Sequence, residues 1–133
     1  MQAAIAAARD RSQQRRQRAS EAERAYAQFL DTVATPVTRQ MANVLKTEGY
    51  AFTVSTPGDG LRLGADRGRD DFIEFALDTS GDRPQVIGRI SRARGSRTID
   101  VERPIKPGAA PDTLTEDDVL EFLLDALEPW LER

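Results

Sequence analysis

The interval between apolar positions changes twice along this chain of 133 residues. Up to about residue 48 apolar side chains return every third or fourth position: Ala22, Tyr26, Phe29, Leu30 and Val33, then Val37, Met41, Val44 and Leu45. That spacing collects them on one side of a helix. Between Tyr50 and Ile105 the interval falls to two, in the pairs Phe52/Val54, Leu61/Leu63, Ile73/Phe75/Leu77, Val86/Ile90 and Ile99/Val101. Alternation of that kind reads as short strands with one apolar face. From Val119 to Leu131 the three-and-four interval returns. All nine glycines lie between Gly49 and Gly108, where the backbone must turn often, so helix, sheet and helix follow one another in a single domain spanning 1–133.

Local signals set the boundaries. Pro36 has no amide proton and clashes with the carbonyl of Thr32, so the N-terminal helix is expected to bend there into two, 2–34 and 36–48, with Thr35 capping the second and Gly49 ending it. The breaks at Pro57–Gly60 (with Asp59 as a turn residue), Asp66–Asp70 (which includes Arg69), Ser80–Asp82 and Arg94–Ser96 are too short for crossover helices. The region 50–105 is therefore expected to be an antiparallel meander of four or five strands. Residues 106–114, with Pro107 and Pro111, read as a connector. Thr115 then caps a last helix over 115–132, with acids at 116, 117 and 118 in its first turn and Leu114 placed to staple onto Val119. Its wide apolar stripe includes Leu120 and Leu124. The predicted fold class is α+β in two layers, with a long kinked N-terminal helix pair and the C-terminal helix on one face of the meander.

Composition narrows function mainly by exclusion. The chain has no cysteine and no histidine, which removes disulfides, thiolate metal sites and the commonest general base. No phosphate-binding loop, dinucleotide fingerprint or EF-hand register is present, and the reading leans away from an enzyme, with no cofactor and no metal expected. The opening residues Met1–Ala8 lack the basic region of a signal peptide, and no apolar run reaches the roughly 18 to 20 residues of a membrane span, so a cytoplasmic location is expected. Seventeen of the nineteen basic residues are arginine, a bias that GC-rich coding also produces.

Charge is distributed unevenly. Residues 1–24 hold six arginines against Asp10, Glu21 and Glu23, a net +3, whereas residues 112–133 hold eight acids against Arg133, a net −7. Ends of opposite sign attract within a molecule or between two. Length adds to this. A helix over 2–34 is about 50 Å long, against a diameter of about 35 to 40 Å for a compact domain of this size. Its first half, polar and arginine-rich up to residue 18, has no apolar stripe to hold it down and is a marginal helix alone. A homo-oligomer, with a dimer favoured, is expected through the stripe of Ala22, Tyr26, Phe29 and Val33 or its extension; the same stripe also reads as core.

A second candidate is the last hairpin. If Ile90 pairs with Ile99 around an Arg94–Gly95 turn, Arg92 faces Arg97 with Arg94 at the tip, an arrangement suited to a nucleic acid backbone, another anion or an acidic protein surface. The alternatives are that these side chains spread into solvent or meet carboxylates of the C-terminal helix. Arg9, Arg11, Arg15, Arg16 and Arg18 scatter around the helical wheel and read as a solvated face. A pocket between helices and sheet, holding a small molecule, is the third reading.

Overall fold

A computed structural model describes residues 1–58, 60–68 and 70–132; Asp59, Arg69 and Arg133 lie outside the described residues. The N-terminal helix is one rod in three parts: α1 (Gln2–Phe29), a π-helical turn (Leu30–Ala34) and α2 (Thr35–Thr47). The disruption expected at Pro36 is absorbed by that widened turn, in which the Thr35 N–H donates to the carbonyl of Leu30, five residues back. Thr35 is fully helical (φ −65°, ψ −47°), so it is not the cap that the sequence suggests.

Widening the turn moves the buried stripe on by one residue. It runs Ala22, Tyr26, Phe29, then Ala34, Val37, Met41 and Leu45, the five-residue step from Phe29 to Ala34 being the π turn. Val33, expected on the stripe, is only half-buried, and Val44 points to solvent. At the far end the Tyr50 N–H donates to Leu45 O at 2.8 Å and the Gly49 N–H to Lys46 O at 3.1 Å. This pair of bonds closes the helix around Gly49 at φ +91°, a conformation that favours glycine.

The strands are β1 (Phe52–Ser55), β2 (Leu61–Ala65), β3 (Phe72–Asp78), β4 (Gln85–Arg94) and β5 (Arg97–Pro104), paired antiparallel in the order β1-β2-β3-β4-β5. Their register sorts the faces. Leu61 opposite Phe75, Leu63 opposite Ile73, Ile73 opposite Ile90 and Leu77 opposite Val86 share the side covered by helices. The other side carries a row of alternating charge across four strands, Arg62, Glu74, Arg89 and Glu102, each opposite the next. Arg62 is ion-paired with Glu74, and the Arg62 and Arg89 guanidiniums lie 4.0 and 5.8 Å from the ring centre of Phe72, which buries that one large ring on the polar face.

Helix α3 (Glu116–Leu131) lies beside α2 and follows a 3-10 turn, Pro111–Thr113, against which the end of α1 packs. Its capping box is complete: the Asp118 N–H donates to Thr115 Oγ1 at 3.2 Å and the Thr115 N–H to Asp118 Oδ2 at 2.9 Å. Val119, Phe122, Leu123, Ala126, Leu127 and Trp130 enter the core. Phe122 lies directly over Gly88, where an added Cβ would come within 2.0 Å of its ring, so glycine there lets α3 settle on β4. Leu120 and Leu124, assigned to the stripe from sequence, are instead exposed.

Candidate functional site

Three surfaces stand out from this frame. The first is the arm formed by the start of α1. Ala22 is its first buried residue, and from Gln2 to Glu21 all are exposed except Ser12 and Ala19, which are half-buried. Those 20 residues extend the helix by about 30 Å. The arm's faces differ. Arg11, Arg15 and Arg18, spaced four and three apart, line one wall of a cleft of about 350 Å³ whose other wall is the β3–β4 turn, Thr79–Asp82 with Pro84. That turn is held by Asp78, whose Oδ1 accepts from the Ser80 hydroxyl at 2.6 Å and the Ser80 N–H at 2.9 Å; these bonds hold its carboxyl below the usual carboxylate range. All five arginines of the arm stay exposed, and three of them line the side that faces this turn.

The second surface is the hairpin tip. Its register differs by one residue from the expected one: Arg94 stands opposite Arg97 around a Gly95–Ser96 turn, and Arg92 faces Ile99 rather than Arg97. Gly95, at φ +65°, takes the first central position of that two-residue turn, where a positive φ is required. By alternation Arg92, Arg94 and Arg97 share one side of the sheet. None of the three forms an ion pair among the described residues; the β5 arginine that does meet α3 is Arg103, bound to Asp125 and 4.8 Å from the ring centre of Phe122.

The third is a wedge of about 840 Å³ between the helix and the sheet, walled by Tyr26, Leu30, Phe75 and Leu77 and edged by Glu23 and Arg24. Tyr26, Phe29 and Ala22 are all buried in their own chain, Tyr26 and Phe29 with ring centres 6.5 Å apart. The 22, 26, 29 stripe is thus core, and the surface left for a partner is its extension, the arm. No family model, curated protein or solved structure matches this chain.

Chemistry within the described residues is sparse. No group of three or more metal-binding side chains is brought together, and no helix is long and apolar enough to cross a membrane. The Asp118 carboxyl is held below its ordinary range chiefly by the Thr115 N–H, with the Thr115 hydroxyl and the Lys106 ammonium helping against the cost of burial; these are the contacts that cap α3. Sequence reasoning missed Asp71. Its Oδ1 accepts from the Ala93 N–H at 2.6 Å and its Oδ2 from Trp130 Nε1 at 3.1 Å, clamping the β2–β3 turn to β4 and to the end of α3, where Trp130 also meets the edge of Phe52 at 6.0 Å. Nothing in local spacing marks an acid that joins residues so far along the chain.

Proposed function

We propose that this protein is a non-catalytic interaction module of the cytoplasm that assembles with a second copy of itself through its N-terminal arm. The observation that carries the reading is the arm's exposure over about 30 Å, with no buried residue before Ala22 and only Ser12 and Ala19 half-buried. Helices in proteins owe most of their stability to burial of a face, and a polar helix of this length alone is marginal in water. A second chain supplies the missing burial. Light scattering on the full chain is expected to give twice the single-chain mass of 14.7 kDa, and removal of residues 2–18 is expected to return single chains with unchanged circular dichroism per folded residue of the domain. A full chain that stays single at every concentration accessible overturns the reading.

The hairpin supports a second reading, binding of a nucleic acid or an acidic surface through Arg92, Arg94 and Arg97. Two arginines directly opposed across a strand pair cost about 0.2–1 kcal/mol, a cost that an anion between them relieves. The expected signature is binding to a duplex probe that weakens steeply with salt. No mobility shift at low salt sinks it.

A further inference from the structure

The charge asymmetry of the chain and the two stripes left unpartnered in the fold identify where the arm docks. We infer that the arm of one copy packs on the outer face of α3 of a second copy, in a reciprocal dimer; this rests on the self-association proposed above.

The outer face of α3 is made by Asp117, Leu120, Glu121, Leu124 and Glu128, which fall within an arc of about 100° of the helix. All five are exposed, the two leucines by 40% and 48%. Their acids are among those their own chain leaves unpaired. Asp118 is engaged by Lys106 and Asp125 by Arg103, whereas Asp117, Glu121 and Glu128 have no ion pair among the described residues. An apolar seam flanked by uncompensated carboxylates fits a helix that carries an apolar residue flanked by arginines.

The arm carries that pattern on a flank about a third of a turn from the buried Ala22, Tyr26 and Phe29. Arg11, Arg15 and Arg18 are turned to the β3–β4 turn. Ile5, Arg9 and Arg16 form a separate stripe roughly 130° around the helix, and Ile5 is 54% exposed. Ile5 to Arg16 and Asp117 to Glu128 each span eleven steps, about 16 Å, so the stripes match in length as well as sign. Set antiparallel, which also opposes the two helix dipoles, Ile5 rests on Leu124, Arg9 falls beside Glu121, and Arg16 reaches back toward Asp117. One such contact is small beside the roughly 1,200–2,000 Å² of a standard interface. A two-fold axis makes it twice, since each chain brings one basic arm and one acidic α3.

A charge swap tests the pairing. One full-length variant carries Arg9→Glu and Arg16→Glu, another Asp117→Arg and Glu121→Arg, all at exposed positions. Each alone is expected at the single-chain mass, because its arm and α3 now repel, while an equimolar mixture recovers the two-chain mass, because both contacts are complementary in the mixed pair. Variants that dimerise as the native chain does, or a mixture that forms no pairs, overturn the assignment to α3 and leave self-association standing. A native chain that is itself single overturns both. Disulfide trapping gives an independent readout in a chain without cysteine. A copy with Ile5→Cys mixed with a mass-tagged copy with Leu124→Cys is expected to give the cross-linked mixed pair under mild oxidation, and its absence overturns the inference even where a charge variant misfolds.

Discussion

Replacing Gly88 with alanine probes the contact that seats α3 on the sheet. The added methyl would lie 2.0, 2.5 and 2.9 Å from three atoms of the Phe122 ring, well inside contact distance, and the ring has little freedom to retreat. It is buried, tilted against Phe75 at 5.8 Å between centres, and overlain by Arg103. Overpacking of a core costs about 1–3 kcal/mol, and disturbing the Phe75–Phe122 pair adds about 0.5–1.5. Alanine restricts the unfolded chain and recovers about 0.4–1 kcal/mol. The net expectation for Gly88→Ala is a loss of about 2–3 kcal/mol, a fall of roughly 8–12 °C in melting temperature for a domain of this size. Trp130, the sole tryptophan, reports unfolding in urea by its fluorescence. Shortening the ring with Phe122→Leu should rescue part of the loss, so that the double variant is more stable than the two single effects predict by about 1 kcal/mol or more. A Gly88→Ala chain within about 0.5 kcal/mol of the native one, or strict additivity in the double variant, would refute the close approach of α3 to β4.

Four further expectations follow from the structure. Phe29→Ala should cost about 3–5 kcal/mol in urea unfolding, because Phe29 is core; a variant of native stability that has lost only its two-chain mass would return the stripe to an interface role. Thr115→Ala removes the α3 cap and should cost about 1 kcal/mol. Because Asp118 and Asp78 are held below their ordinary value of 3.8, the stability they confer is complete above that pH and is lost as pH falls through the lower folded values; Asp118→Asn should flatten the acid limb of the urea midpoint, and an unchanged limb would count against the cap as its source. Arg94→Thr relieves the opposition to Arg97 and should stabilise by a few tenths of a kcal/mol, more at low salt, in thermal unfolding.

Element order and sheet topology were legible because each rests on local rules. Period-two alternation placed the strands, short polar breaks forced antiparallel neighbours, and the Thr115–Asp118 spacing announced the cap that α3 uses. What was not legible depends on contacts or on competing local solutions. Pro36 signals a disturbance, but a kink and a widened turn satisfy it equally, and only the second carries the stripe from Phe29 to Ala34 instead of Val33. At the hairpin, Gly95 suits either central position of a two-residue turn, and the two choices exchange Arg92 for Arg94 opposite Arg97. Leu120 and Leu124 lie on an arc broad enough to be read as core until the position of α2 decides which part of it is covered. The Asp71 clamp and the placing of Arg11, Arg15 and Arg18 on the side facing the β3–β4 turn relate distant segments, and no short window of residues encodes either.

The π turn at Leu30–Ala34 also fixes the bearing of everything before it. Each residue added to or taken from a helix rotates what precedes it by about 100° about the axis. Deleting one residue between 30 and 34 would thus swing the Ile5, Arg9 and Arg16 stripe by more than a quarter of a circle, and would wrench Ala22, Tyr26 and Phe29 out of alignment with the sheet in the same stroke. The extra residue works like a keyed coupling on a shaft: it lets a helix of one orientation drive into the domain while its free end presents another.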